Sequence, residues 1–512
     1  MRYGHASSDT ARIKPAGLSI RPAARWRQPQ KKKKSQPSMK NTPRLRKHKQ
    51  APAEVPAPAP LLTPGAPTTS AAPTTSAAST TSAASTPPAG PAELPLGEFA
   101  ALLGLDWGDT EHAIALAVRG AARAEELTLP HSAEALHAWL GQLRARFGGQ
   151  PVAVAVEASK GAIVAALLEH QAWLTVFPVH PATSRRLSTA FTPSGAKDDL
   201  PDARILLEIL QNYRLKLRAL LPHDEATRKL THLVEARRKL VDRRTQASNE
   251  LTSLLKNYYP QALELTGEKR YAPLALAFVE RWPELALLQA ARPQTVRAFY
   301  HQHQVRRPEL IAERLALIAR AQPLTSDRAL CEVSILQLRA LVATLRVLEK
   351  HRARLDEEIA TAFAASPEAA LFRSLPGAGA ALAPRLSVLF GQDRARWSSP
   401  GELQTYYGIA PVIKKSGRQR TVHWRWNAPW FGRQTLIEWA GLSVQYSAWA
   451  KAYYQQQKEK QKGHSAILRS LAFKWLRILW RCWQNRQPYD EARYLVHLQQ
   501  RNPTLCARLA TA

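Results

Sequence analysis

From Ala100 onward the polarity of the chain changes its period several times, and each period implies an element. Ala100 to Asp106 is almost continuously apolar, His112 to Val118 answers it, and Val152 to Glu157 and Trp173 to Val179 repeat the pattern. Short apolar runs closed by turn residues predict buried strands. Between them, Ser132 to Phe147 sets Leu136, Leu140 and Leu143 on one helical face, and Ala162 to His170 predicts a second helix. Strands alternating with helices predict an α/β sheet.

Two later stretches keep a helical period for much longer. From Leu230 to Tyr258 the apolar positions are Leu230, Val234, Val241, Leu251, Leu255 and Tyr258, set among Arg237, Arg238, Lys239, Arg243 and Arg244. From Leu330 to Ile359 they include Leu338, Leu341, Leu345, Leu348 and Leu355. Together these predict an antiparallel coiled-coil hairpin between domains. Its charges read as a solvated face, although a long basic rod is also shaped to lie along a nucleic-acid backbone or to dimerise. Residues 1–97 have no such period: Pro, Lys and Arg, with the run Lys31 to Lys34, give way to TTSAA-type repeats that cannot bury a core. A disordered basic and low-complexity extension is expected there, either a tether or no working part at all, with Met39 as an alternative start and a targeting role a weaker reading. The expected divisions are this extension, residues 98–222 as the α/β domain, 223–365 as the helical region and 366–512 as a mostly α C-terminal domain.

Charge changes the picture next. The 512 residues carry 72 Lys+Arg against 40 Asp+Glu, a formal net charge of +32. The first fifty residues hold fifteen bases and one acid, and the next fifty hold three acids and no base, so residues 101–512 still carry +21. Positive charge on this scale favours polyanions, because neutralised phosphates release condensed counterions; DNA or RNA is the expected partner. Cys331, Cys482 and Cys506 stand far apart with no CxxC, so neither a disulfide framework nor a zinc ribbon is indicated, and a reducing compartment fits. The chain has neither a long uncharged apolar stretch nor a secretory core at its N-terminus, so a soluble cytoplasmic protein is expected, with no membrane partner.

Against that basic background, four acids stand out. Asp106 ends the first strand in GLDWGDTEH, Glu157 ends a later one in VAVAVEASKG, and Asp199 and Asp202 lie three apart in AKDDLPDAR. Strand ends on one edge of a sheet are close in space. If AKDDLPDAR opens a helix, with Pro201 tolerated in its first turn, Asp199 and Asp202 share a side. Mg²⁺, with Mn²⁺ as its substitute, needs few carboxylates, and four suffice for a two-ion site serving phosphoryl transfer, the ions about 4 Å apart. Singly, each acid reads as an ordinary turn or cap residue.

The C-terminal third carries looser signals. LPGAG, Leu375 to Gly379, is close to the turn of helix-hairpin-helix modules, although Pro384 should interrupt the second helix and PG followed by Gly is ordinary turn chemistry. GIAP leads into Lys414, Lys415, Ser416, Gly417, Arg418 and Arg420. A serine exposed in such a loop can attack phosphorus while the cations stabilise the transition state, or it is a plain Ser-Gly turn. Trp475, Trp480 and Trp483, interleaved with Arg469, Lys474, Arg477 and Arg481, read first as core residues of an amphipathic helix whose basic side could touch nucleic acid.

Taken in order, these motifs resemble DEDD insertion-sequence transposases of the IS110 family, relatives of the Piv-type invertases. GLDWGDTEH, VEAS and KDDLPDA resemble its catalytic domain, and LPGAG, YYGIAPVIKKSG and SAWAKAYY through KWLRILWRCW its C-terminal transposase domain. The resemblance spans roughly Ala100 to Tyr494. It implies an RNase H-like, RuvC-like DEDD domain in which Asp106, Glu157, Asp199 and Asp202 hold Mg²⁺, and a C-terminal domain whose Ser416 forms a covalent phosphoserine link to DNA. It also implies a bridge RNA that pairs with target and donor DNA, and a homo-oligomer, dimer or tetramer, in which metal and nucleophile meet. The long extension, the extra Asp198 and the bulky Val422 to Arg433 depart from the family's pattern.

Three other readings stay open at this point. A RuvC-like nuclease would use water as the nucleophile. A tyrosine recombinase would use Tyr406, Tyr407 or Tyr453 with Arg420, His423 and Arg425, and leaves the four acids without a role. A non-catalytic DNA-binding protein would need neither metal nor serine.

Overall fold

The computed structural model describes residues 98–191, 199–417 and 419–509; the expected disorder of residues 1–97 lies outside them. β1 (Ala101–Trp107), β2 (Glu111–Val118) and β3 (Glu125–Pro130) form an antiparallel meander. β4 (Val152–Val156) and β5 (Leu174–Pro178) extend it in parallel from the other edge of β1, giving the order β3-β2-β1-β4-β5. The four strands expected from the apolar runs are present. β3 was not anticipated, because its sequence begins with two acids and only Leu129 is buried. As an edge strand it is marked by charge instead, Glu125 pairing with Arg146 and Glu126 with Arg204.

The two faces of this sheet differ in side-chain size. Leu103, Leu105, Ile114, Leu116, Val152, Val154 and Val156 face a core with α1 (Ala133–Arg146) and α2 (Ala162–Glu169). The opposite face carries Gly104, Ala113, Ala115, Ala117, Ala153 and Ala155, which leaves room for a helix to come close. After α3 (Pro181–Phe191), α4 (Asp199–Tyr213) takes that place, burying Ala203, Leu206, Leu207 and Leu210. A Cβ on Gly104 would run into the Ala203 carbonyl and stand 2.5 Å from the Leu207 nitrogen, so the absence of a side chain sets the sheet-to-helix distance.

The next region is helical. α5 (Glu225–Tyr258, 34 residues) is capped by Asp224, whose carboxylate accepts from the Thr227 N–H at 2.9 Å. α6 (Gln261–Thr266), α7 (Pro273–Arg281), α8 (Leu285–Gln289), α9 (Pro293–Gln302) and α10 (Pro308–Arg320) follow, and then α11 (Arg328–Ala364, 37 residues). Arg237 pairs with Asp356 and Arg244 with Glu349 at 3.0 Å, so α5 and α11 pack antiparallel. The expected hairpin differs in its connection: the five helices between them pack Phe278, Trp282, Phe299 and Tyr300 into one core with Leu251 and Leu255 of α5 and Leu338 and Leu345 of α11.

The remainder comprises α12 (Ala369–Arg373), α13 (Gly379–Phe390), α14 (Pro400–Tyr406), a ribbon of β6 (Val412–Ser416) and β7 (Gln419–His423), and α15 (Trp430–Tyr446). α16 (Ala448–Glu459), α17 (His464–Gln484), α18 (Glu491–Arg501) and α19 (Pro503–Ala507) complete it. The tryptophans of α17 are core residues, as their spacing suggested: Trp475 and Trp483 are fully buried and donate to Ser443 Oγ (2.7 Å) and the Gly391 carbonyl (2.9 Å). One expectation is corrected here. Pro384 does not interrupt the helix after LPGAG; it lies inside α13, buried with its neighbours. The LPGAG turn is partly packing as well, since a Cβ on Gly377 would press the Leu442–Ser443 backbone of α15 and Trp439 donates to the Pro376 carbonyl at 3.0 Å.

Candidate functional site

Side-chain alternation decides which acids share a face. On β1, Leu102, Gly104 and Asp106 are spaced by two, and Leu102 belongs to the α4-facing core; on β4 the same series is Ala153, Ala155 and then Glu157, one residue past the strand. Because Leu105 pairs with Val156 in the parallel register, Asp106 and Glu157 are the next neighbours at adjacent strand ends. Both are half-buried. Glu157 is held by a residue the sequence did not single out: the Ser184 hydroxyl, itself buried on α3, donates to Glu157 Oε1 and lies 3.2 Å from the Pro181 carbonyl. Nothing in the spacing of PATSRR marks Ser184, because its meeting with Glu157 depends on where α3 packs. Beyond Glu157, Lys160 pairs with Glu235 of α5 and fastens the loop.

The start of α4, which carries the other two acids in sequence, packs on this face. Its backbone starts at Asp199, as expected of a helix opened by AKDDLPDAR, with Pro201 in its first turn. Asp202 is half-buried and immediately precedes Ala203, the residue pressed on Gly104. Asp198 and the side chain of Asp199 lie outside the described residues. Among the described residues no three His, Cys, Asp or Glu gather closely enough to hold a metal ion. The sheet thus places Asp106 and Glu157 at adjacent strand ends and turns the start of α4 toward the same face.

On the other face of the same strand ends, Trp107 stacks on His112, its cross-strand partner, at 3.9 Å between ring centroids and 9° between planes. His131 Nδ1 is 3.2 Å from His112 Nε2. Burial, and then the nearby His131, lower the pKa of His112, so its ring stays neutral. This aromatic group pins the end of β1 one residue from Asp106.

Ser416 has different surroundings. It ends β6, and Gly417, with φ of 55°, begins the two-residue connection to β7. Both strands are exposed apart from half-buried Val412, so Ser416 stands in solvent and is not packed against the sheet that carries Asp106 and Glu157. Register places Lys414 and Thr421 opposite each other on the Ser416 face, and Lys415 opposite Arg420 on the other. A backbone turn and an accessible hydroxyl are therefore both present. The tyrosine alternative loses much of its support. Tyr407 is buried with its hydroxyl donating to the Leu389 carbonyl at 2.6 Å and its pKa pushed up by burial, Tyr453 is also buried, and only Tyr406 is exposed.

No helix among the described residues is long and apolar enough to cross a membrane. Two family models match the chain. A DEDD transposase model named for IS110 matches residues 103–260, and one described as the transposase IS116/IS110/IS902 family matches residues 369–455. The first spans the carboxylate face and α5; the second spans LPGAG and the ribbon. Among relatives, a mini-circle protein of Streptomyces coelicolor named as a transposase for IS117 is 29% identical over 413 residues, covering 78% of this chain and 97% of that one. An uncharacterized 43.6 kDa protein of insertion element IS110, also from Streptomyces coelicolor, is 25% identical over 387 residues, 75% of this chain and 93% of its own. A 42 kDa protein of insertion element IS900 from Mycobacterium paratuberculosis is 25% identical over 312 residues, 58% and 73% of the two chains. With both family models matched in chain order over the two regions that carry its motifs, the chain belongs to the IS110 family of transposases.

Proposed function

We propose that this transposase cleaves and rejoins DNA strands using a divalent ion at the α/β carboxylate face and Ser416 as the attacking group. The observation that carries the reading is the placement of Asp106 and Glu157 at adjacent strand ends, on the face where α4 starts. A central β1 flanked by an antiparallel β2 and a parallel β4 supports reading the sheet as RNase H-like and RuvC-type, and the antiparallel α5 and α11 support the coiled-coil reading. Two half-buried carboxylates suit Mg²⁺ or Mn²⁺, which keep water and phosphate oxygens as their other ligands, and Asp199 and Asp202 would complete the acidic set. Once bound, the ion supplies charge stabilisation to the attacking and leaving oxygens.

The chain's own groups do the rest. Ser184 fixes one oxygen of Glu157 and leaves the other for binding. The Ser416 hydroxyl forms the new bond to phosphorus as the bond to the departing deoxyribose oxygen breaks; the serine proton goes to water and the departing oxygen takes one up. Lys414 beside it, with Lys415 and Arg420 across the ribbon, offset phosphate charge. A serine held out in solvent supports a homo-oligomer in which one subunit's ribbon meets the carboxylate face of another. A bridge RNA, which the family resemblance implies, would supply sequence by base pairing and leave the basic surfaces to hold backbone.

The test is strand exchange on a plasmid substrate, with denaturing gels to catch protein bound to DNA. Asp106→Ala and Ser416→Ala should each abolish exchange while DNA affinity stays within about threefold, since neither side chain neutralises phosphate. The wild-type chain should give a denaturation-resistant adduct and Ser416→Ala none. Full exchange by Ser416→Ala would remove the covalent step and leave cleavage by water, as in a metal-dependent nuclease.

A further inference from the structure

The ribbon runs into a segment whose aromatic residues have no part in the cleavage chemistry. Trp424 lies between two guanidiniums, Arg469 at 4.3 Å and Arg433 at 4.9 Å from its ring centroid. Arg433 also donates from Nη2 to the carbonyls of Arg425 (2.8 Å) and Trp426 (3.1 Å), so the backbone on either side of the next tryptophan is fixed. Trp426 itself is 72% exposed, and its ring meets Trp424 edge-on at 6.5 Å. The backbone that carries this outward indole is thus fixed before any partner arrives, which lowers the ordering cost of binding.

Charge decides what that partner is. From Val412 to Arg433 the chain has six Lys or Arg and no Asp or Glu. The matching basic segment of a second copy would be repelled there, and an apolar protein surface would have to desolvate the cations. A nucleic-acid strand meets both requirements, phosphates against the cations and a flat base against the indole. In an intact duplex the base faces are covered by their neighbours, so the base must be unstacked.

We infer that Trp426 is a stacking platform for an unpaired base of the DNA strand held at Ser416. The inference rests on the reading that this end of the chain handles DNA, and adds that the strand is opened there. Trp426 is a positioning residue: it touches a base, not the reacting phosphate.

The test uses the full-length protein without added metal, and fluorescence anisotropy with labelled oligothymidine, the same strand carrying one abasic position, an RNA strand of matching sequence, and a duplex of equal length. W426A should weaken single-strand binding between about fivefold and a hundredfold, the range of one lost base-aromatic stack. W426F should restore most of the affinity. The slope of affinity against salt should not change, because no phosphate contact is lost, and duplex binding should be unaltered. The abasic position should weaken the wild-type protein and cost W426A nothing more. Unchanged single-strand binding by W426A, an equal loss on duplex, or a loss confined to an RNA strand of matching sequence would overturn the inference while the transposase reading stands. A wild-type protein that binds neither strand nor duplex would remove the DNA-handling reading and this inference together.

Discussion

The carboxylate face and the ribbon differ in what holds them. Asp106 and Glu157 sit at the ends of strands buried on both sides, one pinned by a neighbouring aromatic stack and the other by Ser184. Ser416 is on two strands exposed nearly throughout. A lone two-stranded ribbon gains little stability from its own hydrogen bonds. Folding therefore fixes the acids, while Ser416 acquires a fixed position only from what the ribbon meets. In the proposed mechanism this arrangement would keep the Ser416 hydroxyl away from the carboxylate face until the substrate complex forms.

The largest expected effect tests the first half of this contrast. Gly104→Val drives a branched side chain into the α4 backbone at Ala203 and Leu207, which cannot rotate away. Overpacking of this kind should cost at least about 3 kcal/mol, seen as a loss of the cooperative thermal transition or a large fall in its midpoint. Thr421→Val on the ribbon exchanges an exposed hydroxyl for a methyl group, giving up only its contact with His423, and should stay within about 0.5 kcal/mol. Equal losses at the two sites would mean that the ribbon is as much a part of the folded core as the sheet.

Next in size is the support under Glu157. Ser184→Ala removes a hydroxyl that donates to the carboxylate without touching DNA, and residues that orient a metal-binding carboxylate are typically worth about 10- to 100-fold in affinity or activity. Strand exchange should fall by that much, and the Mg²⁺ concentration for half-maximal activity should rise. Ser184→Thr, which restores a hydroxyl, should recover much of both. Loss of activity with unchanged Mg²⁺ dependence would make Ser184 a packing residue only.

The same contrast explains what could be read from sequence. The buried strands were legible because both of their faces are apolar, and the start of α4 only as the condition that AKDDLPDAR opens a helix. The shared face of Asp106 and Glu157 was less visible. In Leu102-Gly104-Asp106 and Ala153-Ala155-Glu157 the small residues read as generic apolar positions, and only the packing of α4 reveals that they form a floor for it. β3 was missed because an edge strand is specified by charge as much as by burial, and the ribbon because neither face is buried and no alternation is imposed on it. Ser184 and the Arg433 bonds to the Trp426 loop join positions that sequence spacing cannot relate.

The smallest effect concerns the joint between the two regions. His223, just ahead of α5, packs on Gly391, where a Cβ would stand 2.7 Å from its Nδ1. Burial, and then the nearby Arg396, outweigh Asp224 and Asp393 and lower its pKa from 6.5 to about 4. A depressed histidine is neutral when folded and takes up its proton more readily unfolded. Its contribution to stability is therefore complete above about 6.5 and is lost as pH falls from there toward about 4. Buried His112 is shifted in the same direction. Denaturant midpoints at pH 7.5 and pH 5.5 should fall in the wild-type chain, and fall less in His223→Gln, with a remaining slope that His112→Gln reduces. If His223→Gln loses as much as the wild type over that interval, the joint is open to water and does not couple the sheet to the domain that carries the ribbon.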